Sequence, residues 1–100
     1  MILKIHKTKN GIIVALCDEN IVGKKFTERN LILDLTADFY KGEKVDKKEA
    51  LKICRNAYII NAVGKEAVKL LLDNEFAAKE NIIKIAGTPS VQCLVLQNEI

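Results

Sequence analysis

The stretch "MILKIHKTKNGIIVALC", residues 1–17, decides how the rest of the chain is read. Ile2, Lys4 and His6 alternate with Leu3, Ile5 and Lys7. Period-two alternation of this kind marks a half-buried strand. "KNG" follows, and Asn and Gly both tolerate the positive φ that tight hairpin turns require. "IIVALC" is then a continuous apolar run, the pattern of a strand buried on both faces. Residues 1–17 therefore predict a β-hairpin. With its turn placed at Asn10–Gly11, His6 is expected opposite residue 15 or 16, close to Cys17.

Beyond the hairpin, "DEN" breaks the strand and "IVGKKF" is a short apolar-flanked piece. "NLILDL" alternates again and predicts a third strand, and "TADFYKGEKV" a loop. Asp46 opens a helix, because "DKKE" has the capping-box spacing. That helix is expected to reach about Asn56, with Ala50, Leu51, Cys54 and Ala57 on one face. "YII" predicts a short strand. Asn61 is placed as the cap of a second helix, roughly 62–74, with an apolar stripe of Val63, Ala67, Leu70 and Leu71. "NIIKIAG" reads as a strand, Gly87 and Pro89 as a turn, and "VQCLVL" as the last strand. The order is β-β-β-α-β-α-β-β. Strands come early and helices late, which predicts an α+β fold: a mixed sheet with two helices packed on one face.

The totals agree. One hundred residues form a single domain, 1–100, able to bury a core without disulfides or metal. A hydrophobic share of 49% excludes a disordered chain. No stretch approaches the ~18 apolar residues of a membrane span, and lysines interrupt the apolar start, so it is not a signal peptide. Three widely spaced cysteines do not make a disulfide framework, and the expected compartment is the cytoplasm. The net charge of +3 is concentrated in residues 1–29.

Few residues suggest chemistry. Cys17 and Asp18 read as a strand terminus, with a packed thiol and a carboxylate that opens the turn. A nucleophilic thiol there would need an activating neighbour such as His6. Cys54 and Cys93 lie in apolar patterns and read as core. The cysteines and the one histidine lack the close-paired spacing of a metal site. No phosphate-binding glycine loop occurs. No catalytic residue, metal or cofactor is expected, and the balance leans away from an enzyme. The basic residues offer more. Lys48, Lys52 and Arg55 stand at i, i+4 and i+7 on the first helix, opposite its apolar face. Lys41 and Lys44 lie in the loop feeding that helix, beside Phe39 and Tyr40. Loop lysines beside aromatics suit phosphate contacts and base stacking. Lys24 and Lys25 after Gly23 form a second small basic cluster.

Four blocks resemble a small archaeal family catalogued as "domain of unknown function 424". They are "ALCDENIVGKKF" (15–26), "LDLTADFYKGEKV" (33–45), "NAVGKEAV" (61–68) and "NIIKIAGTPSVQ" (81–92). The family pattern has Cys-Asp at Cys17–Asp18, Phe-Tyr-x-Gly at Phe39, Tyr40 and Gly42, and Asn-x-x-Gly at Asn61 and Gly64. It closes with Gly-x-Pro-His, where this chain has Ser90 in place of the histidine. Were that histidine a base or metal ligand in the family, this chain would lack the activity or use another group. The resemblance implies an α+β fold and a cytosolic archaeal origin, with no assigned activity. By category alone, such families often attach to translation machinery.

Two expectations follow. The first is a non-enzymatic module that binds RNA or a ribonucleoprotein through Lys41, Lys44, Lys48, Lys52 and Arg55, with Phe39 and Tyr40. The second is a small-molecule or enzymatic cleft where Asp18, Tyr40, Asn61 and Ser90 converge, bordered by Cys17, Lys24 and Gly64. In that second reading, Asn61 and Gly64 would present helix amides to an anion.

Overall fold

A computed structural model of the chain describes residues 1–95. In chain order the strands and helices are β1 (Ile2–Thr8), β2 (Gly11–Cys17), β3 (Lys25–Glu28), β4 (Leu31–Asp34), β5 (Glu43–Lys44) and α1 (Lys47–Cys54). Then come β6 (Ile59–Val63), α2 (Lys65–Asp73), β7 (Ile83–Ile85) and β8 (Thr88–Leu94). The architecture is α+β, as the sequence implied. Two short strands, β3 and β5, join the expected order.

The opening hairpin forms, with a register that differs from the expected one. Its turn is Lys9–Asn10, and Thr8 pairs with Gly11. The Thr8 side chain fixes this: its hydroxyl accepts from the Asn10 amide at 3.2 Å and donates to the Gly11 carbonyl at 2.6 Å. Gly11, at φ +132°, serves another purpose, because a Cβ there would sit 2.9 Å from the Tyr58 Cβ. His6 consequently faces Ile13, four residues from Cys17.

The main sheet runs β5-β1-β2-β6-β8-β7. β2 and β6 pair in parallel and every other pair is antiparallel, so the sheet is mixed. A parallel pair needs a crossover connection. Residues 18–58 supply it, and they carry the β3–β4 hairpin, β5 and α1.

Alternation along the strands then builds two cores. On one face Leu3, Val14, Leu16, Ile60, Ala62 and Val91 meet Ala50 and Cys54 of α1 and Ala67, Leu70 and Leu71 of α2. Both helices therefore cover the same face. Each large aliphatic side chain buried there contributes about 1.5–3 kcal/mol. On the opposite face Cys17, Val63 and Ile85 are covered by Leu33 and Leu35, with Ile21, Val22, Phe26 and Tyr40 at the margin. The β3–β4 hairpin acts as a lid on that second face.

Element boundaries shift where tertiary pairing outweighs local signals. "YII" grows into β6, because Ile59–Val63 aligns residue for residue with Ile13–Cys17. Val63 therefore leaves the expected helical stripe and joins the second core. α1 is capped as expected, with the Asp46 carboxylate accepting from the Glu49 amide at 2.8 Å, but it ends at Cys54. The last hairpin turns at Ala86–Gly87, with φ of +50° and +79° at the two positions. Two positive φ values suit the twist of the flanking strands. Pro89 lies inside β8 opposite Lys84. The expected end of the last strand, at residue 96, falls outside the described residues.

Candidate functional site

The end of β2, the end of β6 and the start of α2 meet at one junction. Asn61 does not cap α2; it lies mid-strand in β6, opposite Ala15 and Gln92. The helix starts after Gly64, which has no side chain to satisfy the free amides of the first turn. Asp18 does so from 48 and 49 residues away. Its Oδ2 accepts from the Glu66 amide at 3.0 Å and its Oδ1 from the Ala67 amide at 2.7 Å. Asp18 is 7% exposed, and its carboxylate sits at the positive end of the helix dipole. Gly64 allows the approach: its φ is +109°, and a Cβ there would lie 2.3 Å from the Asp18 Cγ. Cys17–Asp18 and Asn61-x-x-Gly64 are thus two halves of one joint. The turn-opening role expected of the Asp18 side chain is replaced by this helix cap. An external anion at the same amides would have to displace the carboxylate.

Cys17 is fully buried, and its thiol donates to the Asp18 carbonyl at 3.4 Å. Burial, and then the charge of Asp18, push its pKa up to about 12. A thiolate nucleophile needs the opposite shift. Cys54 and Cys93 are buried and raised for the same primary reason, burial.

His6 works on the 38–40 turn instead. Its ring stacks on Phe39 with centroids 4.4 Å apart, and its Nε2–H donates to the Phe39 carbonyl at 3.0 Å. The Lys4 ammonium donates to the Asp38 carbonyl at 2.7 Å. Tyr40 meets Phe39 edge-on, and its hydroxyl pKa is raised by burial and by nearby Cys17. These contacts lay the turn over the second sheet face. The α1 helix lies over the first. The aromatic pair and the basic helix face therefore stand on opposite sides of the sheet.

Lys48 and Lys52 of α1, and Arg55 at its C-terminal cap, are exposed and line one shallow concavity with Asp46 and Glu49. Lys41 pairs with Asp38 at 3.2 Å and Lys44 with Glu19 at 3.4 Å, both on the surface. Lys24 lines a concavity with Asp18, Phe26, Gly64 and Pro89. Of the four residues of the second expectation, Asn61 and Ser90 share the second sheet face by register, and Tyr40 packs at its margin. Asp18 points to the helix amides. Among the described residues no group of three His, Cys, Asp or Glu side chains is placed to hold a metal. Among them, too, no helix is long and apolar enough to cross a membrane.

One surface was not anticipated. Between α2 and residues 79–89 runs a groove of about 670 Å³. Its floor is Val68, Leu72, Ile82 and Pro89, and its rim carries Lys65, Lys69, Lys79 and Lys84. The i, i+4 spacing of Lys65 and Lys69 was the only local hint of it.

A search of curated proteins returns no match. Among solved structures, the chain is similar to an uncharacterized conserved protein from Methanopyrus kandleri, known from its crystal structure. The two are 28% identical, with a TM-score of 0.79, over 99% of this chain and 96% of that one. The model of the family described as "Protein of unknown function (DUF424)" matches residues 5–96. The fold, the Cys17–Asp18 joint with Gly64 and this match over nearly the whole length agree: the chain belongs to the DUF424 family.

Proposed function

We propose that this protein is a non-enzymatic module that binds structured RNA, engaging phosphates through the exposed face of α1. The observation that carries the reading is the state of Lys48, Lys52 and Arg55. All three are exposed on one helix face, and none is in an ion pair among the described residues. Neighbouring Lys41, Lys44 and Lys47 are paired with acids. Phosphate contact by lysine and arginine supplies affinity without reading sequence.

The aromatics refine the reading. Phe39 already stacks on His6, and Tyr40 is half-buried against the second core. Both rings stand across the sheet from the basic helix face, so the reading gives base stacking no part in the contact made by that face. The module would therefore read the shape and phosphate spacing of a folded RNA, as duplex-binding proteins do. The cleft reading has less support, because the Asp18 carboxylate is committed to α2 and the Cys17 thiol is held neutral.

The test is binding of nuclease-treated protein to ribosomal subunits and to an RNA hairpin, beside the triple variant Lys48→Glu, Lys52→Glu, Arg55→Glu. The expected result is saturable binding by the natural chain, lost in the variant, with no preference for single-stranded RNA. Equal binding by both proteins would remove α1 from the account.

A further inference from the structure

We propose that the groove between α2 and residues 79–89 docks an acidic amphipathic helix of a partner protein. The groove is independent of the α1 face.

Its geometry is specific. Lys65, Val68, Lys69 and Leu72 fall at i, i+3, i+4 and i+7 of α2, so they form one stripe along that helix. Val68 and Leu72 face the groove floor, and Lys65 and Lys69 form one bank. The opposite bank comes from a different part of the chain. Ile82 and Pro89 complete the floor, and Lys79 and Lys84 stand above them. The result is an aliphatic trough with two cations on each side and no carboxylate among its lining residues.

That arrangement selects its occupant. An aliphatic floor takes leucine-like side chains at helical spacing, as helix-in-groove complexes do. Cations on both banks call for carboxylates on both flanks of the same helix. The α2 bank from residue 65 to 72 spans about 10 Å, or two turns of a docked helix. Nucleic acid fits less well. The lining holds no aromatic ring and no arginine, the side chains that stack on bases or grip phosphate bidentately. Of the four lysines only Lys69 is in an ion pair among the described residues, with Asp73 at 2.7 Å, and that pair lies on the surface. Pairs of this kind exchange partners at little cost.

The probe is a synthetic helical peptide with leucines at i, i+3, i+4 and i+7 and glutamates on both flanks. It is titrated into the full chain and followed by amide chemical shifts. The expected result is saturable shifts at Val68, Leu72, Ile82 and Lys84, weakened about tenfold in the double variant Lys65→Glu, Lys84→Glu. Lys65 is the first residue of α2, where a glutamate favours the helix, and Lys84 is exposed, so the variant should fold. Three results would overturn the proposal. One is the absence of saturable shifts at millimolar peptide. Another is equal binding of a peptide with lysine in place of every glutamate. The third is loss of RNA-hairpin binding in the double variant with peptide binding unchanged.

Discussion

Replacing Asp18 with alanine tests the joint that ties β2, β6 and α2 together. The substitution removes two charge-assisted hydrogen bonds, to the Glu66 and Ala67 amides at 3.0 and 2.7 Å. Gly64 cannot substitute for the lost cap, so two first-turn amides lose their acceptor. A hydrogen bond to a charged group contributes about 1.5–3 kcal/mol, and loss of a helix cap costs about 0.5–2 kcal/mol. Asp18 borders two surface concavities, so water can replace part of the loss. We therefore expect a decrease of about 2–3 kcal/mol, or about 10–20 °C in Tm for a domain of this length. Asp18→Asn keeps one acceptor oxygen and should lose about half as much. Urea unfolding followed by circular dichroism measures both, with an unchanged slope as the sign of an intact native state. The sharper measurement is a double-mutant cycle with Gly64→Ala. In the natural chain a Cβ at residue 64 would collide with the Asp18 Cγ at 2.3 Å. With Asp18 already alanine, the collision is relieved and only the strain of a positive φ remains. The two losses should be non-additive by about 1 kcal/mol or more. Additive losses, or a loss below about 0.5 kcal/mol in Asp18→Ala, would refute the joint.

Two further outcomes follow from the same structure. Burial holds the Cys17 thiol at about 12 and the Cys54 thiol at about 11, against an ordinary value of 9.0. In the unfolded chain these thiols ionise first, so their contribution to stability is full below about pH 9 and is lost as pH rises towards 11–12. Unfolding titrations should show that alkaline decline, reduced in Cys17→Ala, and all three thiols should resist alkylation until the chain unfolds. Rapid native-state alkylation at Cys17 alone would contradict this. Separately, the Glu28 carboxylate accepts from the Ala86 amide at 2.9 Å and ties the β3–β4 hairpin to the last turn. Glu28→Ala should speed hydrogen exchange at Ala86 while leaving the Val91 and Cys93 amides protected. Unchanged exchange at Ala86 would show that the tie is not formed in solution.

Much of the fold was legible because its signals are local. The hairpin followed from alternation and a short polar turn, and the α1 cap from four consecutive residues. The two-helix, one-face architecture followed from the order of the elements, strands early and helices late. What was missed depends on partners distant in sequence. β3 and β5 are four and two residues long, with no apolar alternation to mark them. Asn61 fits a helix cap locally, yet the parallel pairing with β2 extends the strand past it. The true cap, Asp18, lies too far along the chain for any capping motif to register. His6 was placed near Cys17 by putting the turn one residue late, an error that the Thr8 side chain makes clear. The basic face of α1 was readable from its spacing. Its separation from Phe39 and Tyr40 was not, because only the sheet decides which side each element covers. The lysine-rimmed groove has banks from two segments and could be seen only once they were folded together.

The most direct test of the RNA-binding account is the salt dependence of binding to an RNA hairpin. Three phosphate contacts from Lys48, Lys52 and Arg55 should make log K fall with log salt at a slope of about −2 to −3. In the triple charge-reversal variant the slope should collapse together with the affinity. A natural chain that fails to bind even at low salt, or one whose slope survives in the variant, would contradict the account.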